Sequence, residues 1–456
     1  MKSQINVFIF RRDLRVQDNL ALKQLLEKYP KIPTALIFIF NDIQIEPRNN
    51  GYFSSNAFQF MIESLDDLNK QVKNKLNFLH TTSDDIKVLA SIKNKYVINC
   101  IAFNKDYTPF ARLRDAKIIT WCKTNNIDVL TDDDYTLVPT TSMLTKTGGP
   151  YKVFTPFLNS LLKQNIQKPV MVSLKNVIKL NIKQFKPNVQ LNKNILVTGG
   201  RQKALQILAK IKRGTYKNYS KTRNLPELQN GTTKLSAYMK FGCVSVREVF
   251  DAVVTKHNKK HALVSELVWR EFYAHLAYNF PHVLKGHAFK RQYDKMKWKY
   301  NMKWWNAWIC GCTGVPFVDA GMRQLNQTGW CHNRLRMVVA MFLTKDMLID
   351  YRRGEKYFAT QLVDYDPCSN NGGWSWCSGV GVDVSYPRVR IFNPYTQCEK
   401  YDPKCVYVKR WIPELKDVPI KHIHKWYKYH DQYNVYLGPI LDHDVQRKKA
   451  IKMLSL

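Results

Sequence analysis

The 456-residue chain has no long apolar run. Nothing in it approaches the ~18 consecutive apolar positions of a membrane span, so no membrane partner is expected. Its start, MKSQINVFIF, lacks the layout of a secretory leader and passes directly into a strand-like stretch. The ten cysteines are scattered, with Cys310 and Cys312 the only close pair and no paired C-x-x-C sets. That excludes a disulfide-rich secreted framework, predicts no metal site, and fits a reducing interior, cytoplasmic or nuclear. G-x-G-x-x-G and the Walker lysine loop are also missing, so no conventional dinucleotide or nucleotide site is indicated. Acidic residues are scarce: 36 Asp and Glu against 71 Lys and Arg give a formal net charge of +35. A basic surface draws polyanions, nucleic acid foremost. AT-biased coding accounts for part of the excess but not for its placement. KRQYDKMKWKYNMKWW at 290–305 interleaves cations with rings, as in a surface that tracks phosphates and stacks on bases.

What is present changes character near residue 135. Before it, apolar runs at 5–10, 34–40, 75–80, 97–103 and 127–132 alternate with amphipathic stretches such as 56–73 and 108–126. This alternation predicts an α/β domain over 1–135 with a doubly wound parallel sheet. Residues 136–200 are polar, rich in Lys and Asn and weakly periodic, and read as an interdomain connection. From 201 to 456 long helical patterns predict a mostly α domain.

Two segments carry most of the chemistry. TGWCHNRLRM at 328–337 places Arg334 and Arg336 beside Asn333; DYDPCSNNGGWSW at 364–376 supplies Asp364, Asp366, adjacent amides, a Gly-Gly pair and two indoles. Acids, amides and small residues beside indoles suit a flat, redox-active polar heterocycle. The glycines would admit close backbone approach, and Asp364 with Arg336 would form a paired-charge clamp.

These segments resemble the flavin-binding half of the photolyase/cryptochrome family. So do FRRDLRVQDNLAL at 10–22, NKDYTPFARLRD at 104–115, GTTKLSAYMKFG at 231–242, SELVWREFYAHL at 265–276 and RIFNPYTQCEKYDP at 390–403, in family order over nearly the whole chain. The resemblance implies an α/β antenna domain followed by an all-α FAD-binding domain. By position it assigns Tyr219 and the loop Thr232, Thr233, Lys234, Leu235 and Ser236 to the cofactor's phosphates. Arg270 and the Arg336–Asp364 pair fall to the phosphates and ring edge, and Asp366 to a further ring contact. Asn370 falls opposite flavin N5, where photoreceptor relatives carry an acid or a cysteine; the amide resembles repair enzymes working from reduced FAD.

On the substrate side, Glu266, Trp269, Asn333, Met337 and Trp376 match residues lining the pocket for a flipped cyclobutane pyrimidine dimer. The indole faces would cover the dimer, while a neutral Glu266 and Asn333 would donate hydrogen bonds to carbonyls that gain charge. An alternative for Glu266 is an i,i+4 pair with Arg270 on a helix surface. Six-four repair enzymes resemble one another in a His pair where this chain reads His332-Asn333, so dimer repair is favoured. Arg270, Arg334 and Arg390 would contact DNA, mainly double-stranded, and a monomer is expected. A light receptor using the same pocket without catalysis is the alternative.

Two positions depart from the family pattern. Its three-tryptophan electron relay would run Trp374–Tyr351–Trp298, with a phenol in the middle. Folate-binding relatives carry an Asn-Glu pair where this chain has Phe110 and Ala111, so a folate antenna in that mode is not expected. A deazaflavin, a second flavin or an empty crevice stay open.

Overall fold

Apolar runs of five to eight residues, too short and too rich in β-branched and aromatic side chains for helices, form the strands β1 (Gln4–Phe10), β2 (Thr34–Asn41), β3 (Asn77–Thr81), β4 (Val97–Asn104) and β5 (Asp128–Asp132). In the computed structural model, which describes residues 2–382 and 390–454, they pair in the order β3-β2-β1-β4-β5, every pairing parallel. Each intervening helix opens on a residue whose side chain accepts a terminal backbone N–H. Asn19 precedes Leu20–Lys28, Ser54 precedes Ser55–Gln71, Asp84 precedes Asp85–Lys95 and Thr108 precedes Pro109–Thr124.

The period-2 alternation separates two kinds of side chain on the sheet. Ile5, Val7, Ile9, Ala35 and Ile37 face Val88, Leu89, Ile92 and Ile118 of two covering helices. Phe8, Phe10, Leu36, Phe38 and Phe40 on the other face share a core with Phe60 and Leu68. That core also takes in Val246, Phe250, Val264 and Leu267 of the helical domain. The sheet and the helical domain are thus fused through one apolar layer. A second core around Trp308, Phe317, Leu335, Trp374 and Tyr407 lies wholly in the helical domain.

The connecting segment is more ordered than its composition predicts. It contains a helix, Phe154–Leu161, packed on helix Ala262–Asn279, and a two-residue strand β6 (Val177–Ile178) that extends the sheet beside β2. Phe154 and Phe157 are the anchors the low average hydropathy concealed.

Polar ties reinforce the fusion. Arg15 and Asp18 follow β1, Asp134 follows β5, and Arg247 lies in the first turn of helix Val246–Lys256, all nearly inaccessible to water. Asp134 accepts from Arg15 (2.6 Å) and Arg247 (2.6 Å), while Arg247 Nε donates to Asp18 at 3.0 Å. Burial alone would raise the Asp134 pKa, but the two guanidiniums hold it below the usual carboxylate value. Gly242, at φ +67°, lies so close to the Arg12 carbonyl that a side chain there would collide with it. Arg247→Met should leave two buried carboxylates with one guanidinium and lower stability by about 3–5 kcal/mol. Urea denaturation checks this; a loss within about 1 kcal/mol would show that the apolar layer alone joins the domains.

Candidate active site

Helix Pro367–Ser378 carries the Asn-Asn-Gly-Gly-Trp-Ser-Trp stretch, and its N-cap is Asp366, which accepts from Ser369 N at 3.0 Å. The same carboxylate pairs with Arg12 and accepts from the Tyr135 hydroxyl at 2.5 Å. Burial would raise its pKa; Arg12 and Tyr135 hold it well below the usual range. The Asp366 side chain is thus also engaged by the protein's own groups. Arg270 is tied to the same cluster. Its guanidinium lies 3.6 Å from the Tyr135 ring centroid, donates to Tyr135 O at 2.8 Å and pairs with Glu271 at 3.2 Å. Its side chain is 12% exposed, and the ion-pair partner of Glu266 among the described residues is Arg223, not Arg270.

The Gly-Gly pair divides its tasks. A Cβ on Gly372 would strike the Tyr273 ring, so this glycine lets helices Ala262–Asn279 and Pro367–Ser378 touch, whereas Gly373 faces open space. Only Gly373 retains the close-approach role expected of both.

A basic cradle forms beside this helix. Arg336 clamps Asp364 through Nη2 at 2.8 and 3.0 Å, as the sequence suggests, and its Nε donates to Cys331 O. His332 caps helix Asn333–Met341 by accepting Arg334 N on Nδ1. Burial, and then Arg334, Arg336 and Lys234, push its pKa down to about 3. A neutral imidazole that accepts on Nδ1 carries its proton on Nε2, and this Nε2 is buried with no protein partner among the described residues. Arg334 Nε is equally orphaned. The unmatched His332 donor, with Arg336 and Lys234 close by, fits an anionic, polar ligand such as FAD. Lys234 sits at φ +54° before the short helix Ser236–Lys240, with Thr233 bonded back to Leu235 N and Tyr219 buried nearby in sequence. Thr232 is partly buried and Leu235 buried, while Ser236 is exposed.

The substrate-side residues gather around a second arginine pair. Glu266 forms an ion pair with Arg223, which the sequence reading missed. Burial raises the Glu266 pKa and Arg223 draws it back, in a side chain still 36% exposed. Arg334 donates to Asn224 at 2.7 Å, stands 3.9 Å from Met337 Sδ and lies over Tyr401; Arg390 lies 5.8 Å from the Trp376 ring. Asn333 opens helix Asn333–Met341, which packs against helix Pro367–Ser378. Trp269 stacks on Phe154 at 3.7 Å with ring planes 3° apart, so one of its faces is already covered. Phe272 at 5.8 Å and Tyr273 at 5.5 Å also pack on this indole.

The relay rings have several aromatic neighbours. Tyr351 contacts Trp298 at 6.2 Å, but the ring contacts of Trp374 are Phe358 at 5.1 Å and Trp308 at 6.1 Å, and Trp308 stacks on Trp305 at 5.6 Å. In the 290–305 run, Lys290, Lys295, Lys297, Lys299 and Lys303 are exposed, whereas Trp298, Trp304 and Trp305 pack against the second core. The three tryptophans therefore contribute to core packing, while Tyr300 stays 45% exposed among the lysines.

Asn370 donates to Glu355 O at 3.0 Å, and Asn371 donates to the Glu355 carboxylate at 3.3 Å. Burial, opposed by Asn371 and Arg352, pushes the Glu355 pKa up to about 7. A carboxyl whose folded pKa is raised contributes most below its unfolded value, and that stability is lost as pH rises through about 7. Glu355→Gln keeps an acceptor for Asn371 and removes the charge. It should raise stability at pH ~8 by up to about 3 kcal/mol and change little at pH ~4.5. Melting curves at both pH values test this; an equal change at both would exclude a buried carboxylate as the cause.

A parallel α/β domain joined to a helical domain with a buried cationic cradle defines a flavin-type site. Comparison with known proteins specifies it. Residues 6–173 match the family model described as DNA photolyase, and residues 263–455 match the FAD binding domain of DNA photolyase. The chain is 33% identical to the deoxyribodipyrimidine photo-lyase of Alkalihalophilus pseudofirmus over 98% of its length and 97% of the relative's. It is also 33% identical to the enzyme of that name from Escherichia coli, over 97% and 96%. Among solved structures, the archaeal photolyase from Sulfolobus tokodaii with two FAD molecules superposes with a TM-score of 0.86 at 35% identity, covering 98% of this chain and 99% of that one. The chain belongs to the DNA photolyase family.

Proposed function

We propose that the protein repairs cyclobutane pyrimidine dimers in DNA by light-driven electron transfer, with FAD held in the helical domain. The observation that carries this reading is the cradle of Lys234, His332 and the Arg336–Asp364 clamp, with the buried His332 Nε2 donor still to be matched, next to the substrate-side Arg223–Glu266 and Arg334–Met337 contacts. Bound reduced FAD supplies an excited-state one-electron donor. The chain's own residues do the rest. Asn333 and, when protonated, Glu266 offer hydrogen bonds to pyrimidine carbonyls that become negative, the rings of Trp269 and Trp376 shut out water, and Arg334 and Arg390 face the nucleic acid. Phe110 and Ala111 offer a pterin no hydrogen bond, so no folate antenna of the Asn-Glu type is proposed; the Sulfolobus tokodaii relative holds a second FAD.

Purified protein with dimer-containing duplex should restore thymines under blue light and not in the dark, and should leave six-four photoproducts intact. Repair of six-four lesions alone, or none in light, would overturn the reading.

Glu266→Ala should lower the yield of dimer splitting several-fold, with a smaller effect on binding to damaged DNA. This is less than the ~10²-fold typical of one oxyanion donor, because splitting competes with charge return and meets no high thermal barrier. Glu266→Gln, which keeps a donor, should recover most of the yield. Lost binding with an unchanged yield would assign Glu266 to holding the substrate alone.

The ring distances support an all-indole path to the flavin, Trp305–Trp308–Trp374, in place of the route through Tyr351. Trp308→Phe should slow light-driven reduction of oxidised flavin by an external thiol at least several-fold, while Tyr351→Phe changes it little. Repair after chemical reduction should be the same in both variants. The reverse ranking of the two variants would return the relay to Tyr351.

A further inference from the structure

Three short helices meet in the second core. Pro394–Tyr401 carries Cys398, Cys405 is the residue before Val406–Trp411, and His424 ends Ile420–His424. The Sγ atoms of Cys398 and Cys405 and a ring nitrogen of His424 lie within 4.8 Å of one another, and Cys405 Sγ stands 3.2 Å from His424 Nε2. Both sulfurs belong to buried residues, at 3% and 0% exposure, among Tyr407, Val408, Leu415 and Ile423.

A second observation is independent of this clustering. Cys405 adopts φ +52°, ψ +27°, the left-handed region where glycine is free of strain and a thiol has no conformational advantage. A cysteine held there points to a use for its sulfur. The nearby Asp402 carboxylate is already occupied, accepting from Tyr407 N at 3.1 Å and Val408 N at 2.8 Å, so the donor set is two thiols and an imidazole.

We propose that Cys398, Cys405 and His424 bind a single thiophilic d10 cation, zinc(II) in the first instance, which staples the three helices together. Zinc takes thiolate at about 2.3 Å and imidazole nitrogen at about 2.0–2.1 Å, so neighbouring ligand atoms around one ion lie roughly 3.5 Å apart. Small side-chain adjustments bring the three atoms to that spacing. Two sulfurs and one nitrogen select a soft or borderline ion over magnesium or calcium. Water, or the Asp402 carbonyl 3.3 Å from His424 Nε2, is placed for the fourth position. Helices of 8, 6 and 5 residues are too short to persist on propensity, and one ion bonded to all three would fix them to one another, two of them packing on helix Pro316–Thr328. The sequence signal was weak because a C-x6-C spacing with a distant histidine matches no familiar zinc pattern.

The test uses the full-length flavin-loaded protein, isolated under reductant without chelator. Elemental analysis should find one zinc per chain. Cobalt(II) exchanged into the site should show the d–d bands of a tetrahedral thiolate complex, at longer wavelength than oxidised flavin. Cys405→Gly suits the backbone at that position, and should keep its flavin while losing both the metal and the cobalt spectrum; Cys398→Ser should do the same. A chelator should lower the melting temperature of the parent protein by several degrees and leave Cys405→Gly unmoved. A reduced protein that takes up no zinc or copper(I), a Cys405→Gly variant that keeps its equivalent, or a Cys398–Cys405 disulfide in the freshly isolated protein would overturn the assignment. Copper(I) in place of zinc at the same three ligands would support it.

Discussion

Four buried charges, Arg15, Asp134, Arg247 and Asp18, hold the two domains in register. Each ion withdrawn from water loses several kcal/mol of hydration, recovered only if opposite charges meet at good geometry with the remaining donors satisfied. Here the signs alternate, so Asp134 lies between two guanidiniums and Arg247 between two carboxylates. Backbone carbonyls of Gly242, Asp18 and Asp134 take up further N–H groups. An apolar layer can slide; a set of alternating charges tolerates one arrangement. The aromatic face of the sheet supplies most of the attraction between the domains, and the charges select the docking geometry.

This register reaches the site by a short path. Arg12, three residues before Arg15, joins Asp106 after β4 and Asp366 at the head of helix Pro367–Ser378. The ends of β1 and β4 flank the position where strand order reverses, the place at which open α/β sheets commonly receive a ligand. In this chain Arg12 directs that position toward the neighbouring domain. The α/β domain thereby orients the N-cap of the helix that carries Asn370, Trp374 and Trp376. Tyr135 adds to this, accepting the Arg270 guanidinium on its ring while donating its hydroxyl to Asp366.

What was legible in the sequence follows from how local each signal is. The five strands and their helices were readable within a residue or three, because apolar alternation and capping residues act over short spans. The Arg336–Asp364 clamp was legible because motif and chemistry agreed. The engagement of Asp366 and Arg270 was not, since their partners Arg12 and Tyr135 lie over a hundred residues away and belong to the other domain. The placement of the tryptophans in the 290–305 run was not legible for a related reason. A basic segment that turns its indoles inward and one that displays them share the same composition, and only the core opposite, with Tyr351, Tyr357 and Trp308, distinguishes them. Gly372 looked like a ligand contact but answers to Tyr273, a packing constraint that no local pattern announces.

The same inward packing bears on how an electron would cross the helical domain. A one-electron-oxidised phenol must shed its proton at once, and burial already holds the Tyr351 hydroxyl above its ordinary pKa, with Arg352 opposing that shift and Glu355 adding to it. An indole keeps its proton when oxidised. Trp308 is fully buried, which disfavours a cation, but its Nε1–H donates to Val339 O at 3.1 Å, so a carbonyl dipole faces the ring edge where positive charge would collect. Trp305, stacked on Trp308 and only partly buried, is better placed to accept an electron from solution. Packing of Trp308 against Trp374, Trp305, Phe358 and Tyr357 builds the second core, and on the proposed path it would also set indoles at spacings short enough for charge to hop. A phenylalanine at 308 would preserve most of the first and remove the second, which is why photoreduction, and not stability, is the measurement that separates them.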